Sequence, residues 1–166
     1  MKKISLIALI SLAVFVGAPR ITRAQGQAKK GPEVARDMDM EKDSLHNLEV
    51  ARQYFKLRKA YVASLVRCEE VFAGNPAFSK IDEVLFIAGQ SSLNLAERKG
   101  KQKASQYVIN KGDKKVTLTA DEFREKARDY FSLLVNNYPD SRFRDEALED
   151  LKPLGGPTPK TVSSKQ

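Results

Sequence analysis

Val71-Phe72-Ala73-Gly74-Asn75-Pro76, running on to Ile81-Asp82-Glu83-Val84-Leu85, is matched in form by Leu134-Val135-Asn136-Asn137-Tyr138-Pro139, running on to Arg144-Asp145-Glu146-Ala147-Leu148. Superposed at Pro76 and Pro139, both read as the apolar end of one helix, a proline break, and a second helix opening on Asp-Glu. Proline cannot continue a helix and drives the preceding residue out of helical geometry. Carboxylates in the first turn of the next helix are favoured by its dipole. Such a junction, repeated within one chain, indicates stacked helical hairpins, whose extended surfaces serve binding more often than chemistry.

Outward from the junctions, apolar residues recur at helical spacing. Leu48, Ala51, Phe55 and Leu57 predict a first helix with Ser44 as its N-cap, and Tyr61, Leu65, Cys68 and Phe72 a second. Val84, Leu85, Ala88, Leu93 and Ala96 predict a third, capped by Ser79 and broken at Arg98-Lys99-Gly100. Thr119-Ala120-Asp121-Glu122 is a capping box opening a fourth, with Phe123, Ala127, Tyr130, Phe131, Leu134 and Val135 on its buried stripe. A short fifth helix over 141–151 caps the stack.

Pro76 and Pro139 are 63 residues apart, against about 34 for a tetratricopeptide unit. The excess falls at 98–118, where Tyr107-Val108-Ile109 and Val116-Thr117-Leu118 flank Asn110-Lys111-Gly112-Asp113 and predict a small β-hairpin. An isolated two-stranded hairpin is marginal in water, so a mobile flap is expected. Its charge is one-sided: Arg98, Lys99, Lys101, Lys103, Lys111, Lys114 and Lys115 stand against Asp113 alone. Such a run suits a solvated loop, or a basic finger for an acidic partner or anionic lipid.

The N-terminus has the three parts of a secretory signal at 1–24: Lys2 and Lys3, an apolar run from Ile4 to Val16, and Thr22-Arg23-Ala24 before Gln25. The run is short of the roughly 20 residues that span a bilayer; cleavage is expected, a retained anchor being the alternative. Residues 25–43 read as a flexible linker, 44–152 as the helical domain, and 153–166, rich in proline and glycine, as a disordered tail. The net charge of +8 falls to +4 once Lys2, Lys3, Arg20 and Arg23 leave with the signal. That is mild for a nucleic-acid binder, and no nucleic-acid partner is expected.

Little in the chain points to catalysis. The single cysteine, Cys68, lies in an apolar helical pattern and reads as a buried hydrophobe. His46 is the only histidine, and one histidine does not make a zinc site of the usual ligand types. No nucleophile elbow or phosphate-cradling glycine loop is present. Asp82-Glu83 and Asp145-Glu146 recur with the repeat and read as first-turn acids. No catalytic residue, cofactor or metal is expected.

Tyr54-Phe55, Ala60-Tyr61, Leu65 and Arg67, followed by Asn75-Pro76 and Asp82-Glu83-x-Leu85, resemble the tetratricopeptide repeats of the BamD-type outer-membrane assembly lipoproteins. Ala127-Arg128-Asp129-Tyr130-Phe131 through Val135 to Ser141 and Phe143 is similar to a second such repeat. The resemblance covers 44–151. It implies a periplasmic scaffold that helps insert β-barrel proteins into the outer membrane beside the barrel-forming subunit. Gln25 stands where that family carries its lipid-attached cysteine, so a soluble periplasmic protein of the Tol-Pal envelope system, with similar repeats, is one alternative, and a peripheral membrane protein using the basic insert is another.

The expected architecture is all-α: a tetratricopeptide-like right-handed superhelix of about two hairpins plus a capping helix, carrying a basic hairpin insert. The expected partners are envelope proteins or their extended peptide segments, with contact to the outer-membrane surface. Tyr54, Arg58, Tyr61, Gln90 and Asn94, polar or amphipathic on otherwise apolar helices, are the candidates for the binding groove.

Overall fold

The structure, a computed structural model, describes residues 38–159. The expected leader, residues 25–37 of the expected linker, and 160–166 of the expected tail lie outside the described residues. What is described is mostly helical: α1 (Met38–Arg52), α2 (Tyr61–Gly74), α3 (Ile81–Ala96), α4 (Ala120–Asn137) and α5 (Arg144–Leu151), with one antiparallel pair, β1 (Val108–Lys111) and β2 (Lys114–Thr117), between α3 and α4. Each helix packs against the next in sequence.

The two sequence junctions are one structure built twice. The Asn75 N–H donates to the Val71 carbonyl (2.8 Å) and the Tyr138 N–H to that of Leu134 (2.9 Å). Phe78 donates to Asn75 (3.0 Å) and Ser141 to Tyr138 (3.1 Å); Ile81 donates to Phe78 (3.2 Å) and Arg144 to Ser141 (3.1 Å). Val84 to Lys80 (3.2 Å) and Ala147 to Phe143 (3.0 Å) complete the set. All four bonds recur at the 63-residue offset. They satisfy backbone groups that a proline break would otherwise leave unpaired.

Helix starts and stripes depart from expectation in several places, α5 among them, which opens at Arg144 and not at Ser141. Ser44 does not cap α1, which is already helical at Met38; it lies buried inside the helix, donating to the Met40 carbonyl (2.7 Å) and accepting from Asn75 Nδ2 (3.1 Å). Residues 38–43 therefore belong to the domain and not to a linker. Ser79 does not cap α3 either: Lys80 occupies that position, and the Ser79 N–H donates to Glu41 Oε1 (3.2 Å). Leu57 is not on a buried stripe. After Arg52 the chain widens into a π-helical segment, Gln53–Arg58, ended by Lys59 in the left-handed conformation (φ 49°, ψ 40°), and Leu57 is 78% exposed. The Thr119–Glu122 capping box forms as read, with Thr119 Oγ1 accepting from the Glu122 N–H (3.2 Å) and Glu122 Oε2 from the Thr119 N–H (2.7 Å).

The expected tail is partly bound. Leu151 ends in a short turn (Lys152–Leu154), and Gly155 and Gly156, both at positive φ, turn the chain back toward α4. There Arg128 Nε donates to the Gly156 carbonyl (2.8 Å), the Thr158 N–H to Ser132 Oγ (2.9 Å), and Asn136 Nδ2 to the Thr158 carbonyl (3.0 Å). These bonds on α4 favour ordering a segment whose composition reads as unfolded.

Helix α3 sits at the centre, with twelve of its sixteen residues buried. A helix apolar on nearly all sides belongs inside a fold. One side joins Leu48, Leu65, Val71 and Phe123; the other, through Leu85 and Phe86, joins Phe131, Leu134, Ala147 and Leu151. Phe86 stacks on Phe143 (4.8 Å between centroids) and tilts against Phe131 (6.1 Å). The α3–α4 approach depends on Gly89: a Cβ there would stand 2.5 Å from the Phe131 ring, which is fully buried and has no room to retreat. Gly89→Ala is therefore expected to lose about 1–2 kcal/mol in thermal unfolding, overpacking outweighing alanine's helix preference. Gly74→Ala, with nothing within 4 Å, is the neutral control.

Candidate binding surfaces

The five groove candidates do not share one surface. Tyr61 is a core residue, 8% exposed, tilted on Phe55 (5.4 Å) and covered by the chain at Gly100, whose added Cβ would meet its ring at 2.5 Å. Gln90 and Asn94 are half-buried and already engaged: Gln90 Nε2 donates to Asp150 Oδ2 on α5 (2.5 Å), and Asn94 Nδ2 to the Gln90 carbonyl of its own helix (2.7 Å). Tyr54 and Arg58 keep solvent access on the π-helical segment, with the guanidinium over the phenol ring at 5.6 Å. Spacing placed all five on helices; it did not reveal that the 98–100 loop meets Tyr61 or that α5 engages Gln90.

The insert is two basic groups and not one finger. The first, Arg98 to Lys103, leaves α3 and lies against the end of the π-helical segment; the second, Lys111, Lys114 and Lys115, is on the hairpin. All six insert lysines proposed as a surface (Lys99, Lys101, Lys103, Lys111, Lys114, Lys115) are exposed. Lys99 pairs with Glu97 (2.5 Å); the others make no ion pair among the described residues. Lys111 and Lys114 face each other across the strands, a like-charge arrangement that destabilises a bare ladder.

Nor does the hairpin hang from its ends alone. Tyr107, just before β1, is buried against Phe123 (5.5 Å) and donates its hydroxyl to Glu69 on α2 (2.8 and 2.9 Å to the two oxygens). Glu69 Oε1 also accepts from the Tyr130 hydroxyl (2.9 Å) and from Lys126 Nζ (2.7 Å) on α4. Lys126 lies over both phenol rings, at 5.6 and 5.4 Å. Burial, then the Glu69 charge and its hydrogen bonds, push both tyrosine hydroxyls well above their usual range. The tyrosines thus stay neutral donors, and one carboxylate joins α2, α4 and the hairpin base.

The two first-turn acid pairs are not equivalent. Asp145 and Glu146 are exposed, whereas Glu83 is buried and takes a bidentate bond from Arg52 of α1 (2.6 and 2.7 Å), with Arg142 at 3.5 Å. Burial opposes its charge, but the Arg52 bond and the charges of Arg52, Arg142 and Lys80 outweigh it and hold the carboxyl below its usual range. Asp82 Oδ2 accepts from Ser141 Oγ (2.7 Å). The first-turn acids of α3 thus tie it to α1 and to the second junction.

Asp150 is the opposite case: burial, then the charge of Glu146, with further contributions from Glu149 and Glu97, raise its carboxyl despite the Gln90 bond. Among the described residues no His, Cys, Asp or Glu side chains converge to hold a metal ion. His46 is exposed and Cys68 buried, where burial pushes its thiol up strongly. No described helix is long and apolar enough to cross a membrane. Comparison with protein-family models, with curated proteins and with solved structures finds no match for this chain.

Two stability predictions follow from these groups. Arg52→Met leaves Glu83 with only the longer Arg142 contact and should cost about 2–3 kcal/mol by denaturant unfolding, while Arg52→Met with Glu83→Gln recovers most of the loss. A raised acid penalises the fold once it ionises, so the penalty is absent below the unfolded value, near ~4, and complete above the folded one. Asp150→Asn, which can still accept from Gln90, should therefore gain about 0.5 kcal/mol at pH 7 after solvent screening. That gain should vanish near pH 3, as read from melting curves.

Proposed function

We propose that this chain is an exported protein-binding scaffold of the cell envelope, resembling the BamD-type assembly factors. In this reading α1–α2 and α3–α4 are two units of a tetratricopeptide-like right-handed superhelix and α5 is its cap. The observation that carries it is the doubled junction: four backbone hydrogen bonds recur at one fixed offset, as expected of repeated units that stack by the same geometry. Its role in this reading is binding and not catalysis, because Glu83, Tyr107, Tyr130 and Asp150, whose ionisation the fold shifts, all use their hydrogen bonds to join secondary-structure elements. The exposed residues Glu49 on the first helix, α1, and Glu146 on the cap, α5, are the positions at which this reading is probed.

Gln25, in the place of a lipid-bearing cysteine, favours a second reading as a soluble Tol-Pal-type coordinator. Photo-crosslinkers at positions 49 and 146 of the exported chain, read by mass spectrometry from intact envelopes, are expected to capture the barrel-forming assembly subunit. Capture of Tol-Pal components selects the second reading. Recovery of neither, from a chain shown to be exported and folded, overturns both.

A further inference from the structure

Two basic stretches distant in sequence are brought side by side. Lys56, Arg58 and Lys59 end the π-helical segment, and Arg98, Lys101 and Lys103 follow α3. The Lys101 N–H donates to the Lys59 carbonyl (2.9 Å), and the Ala63 N–H to Gln102 Oε1 (3.0 Å). Gly100 permits the approach: its φ is +91°, and a Cβ would stand 2.5 Å from the Lys59 carbonyl oxygen. All six basic side chains are exposed, and the nearby acid in sequence, Glu97, is engaged by Lys99.

In the middle of the basic triplet stands Leu57, 78% exposed. It is presented by a rare backbone geometry, a π-helical segment closed by a left-handed lysine. Such geometry in a non-glycine residue persists only where the surroundings impose it, and it concentrates at functional sites. The charges are mainly ammonium groups on flexible stems, and Arg58 is already laid over Tyr54. Lysines act as point charges suited to a diffuse phosphate layer, whereas recognition of one phosphopeptide or base favours the fixed fork of arginine.

We propose that this face docks the protein on the anionic headgroup layer of a lipid bilayer, with Leu57 inserted toward the acyl boundary. Charge attraction and one buried apolar side chain act together, as two weak signals are needed for stable surface attachment.

The test is co-sedimentation of the full chain with phosphatidylcholine vesicles with and without phosphatidylglycerol, over a salt series. Binding should require the anionic lipid and weaken with salt. Lys101→Glu with Lys103→Glu should lower it about tenfold or more, and Leu57→Ser several-fold, both with unchanged melting temperature. An equal charge change on the hairpin, Lys114→Glu with Lys115→Glu, should lower it distinctly less; an equal loss would mean net charge and not this face, and would overturn the proposal. So would binding insensitive to salt and to every variant, which assigns attachment to the N-terminal apolar run. Displacement by inorganic phosphate at the lipid-phosphate concentration would indicate a discrete phosphate site and is equally fatal, as is absence of binding to anionic vesicles.

Discussion

Because α3 has almost no solvent side, every other helix must be placed around it. Its buried face is continuous enough to divide the interior into two apolar clusters, one shared with α1, α2 and the start of α4 and one with the rest of α4 and α5. The second depends on the bare backbone at Gly89, which lets the Phe131 ring lie where any side chain would stand. Protein interiors are packed too closely to absorb such a collision by small shifts elsewhere. The architecture thus follows from one central helix whose surface is partly side chain and partly exposed backbone.

Around that centre the elements are joined by carboxylates. Glu83 links α1, α3 and the second junction; Glu69 links α2, α4 and the hairpin; Asp150 links α5 to α3. Glu83 and Glu69 are compensated by nearby cations, while Asp150 sits among other acids and is held only by an amide. Of the three, the α5 carboxylate contributes least, since partly buried charge stabilises only when it is paired.

The candidate surfaces were legible in the sequence to unequal degrees. The basic character of 98–115 was evident from composition, but not its division by buried Tyr107 into two groups. Nothing in residues 56–59 links them to 98–103; a single backbone hydrogen bond from Lys101 to Lys59 does so. Tyr61, Gln90 and Asn94 looked like groove residues because amphipathic side chains are ambiguous between a wet face and a polar contact inside the fold. Gly100 resolves it for Tyr61 and Asp150 for Gln90, while Asn94 bonds a carbonyl of its own helix.

By itself the sequence determined the helices, the two junctions and the site of the insert, because proline breaks, capping boxes and apolar spacing act over a few residues. The 63-residue offset was readable in the same way, and the backbone hydrogen bonds follow it. Only the tertiary structure decided that Ser44 lies inside a helix, that 153–159 bind α4, and that Leu57 faces solvent amid two joined basic stretches. Those outcomes turn on which distant groups arrive to satisfy a hydroxyl, a carbonyl or a charge. No local pattern of residues records such arrivals, because a hydrogen-bond partner is supplied by the packing and not by the neighbouring chain.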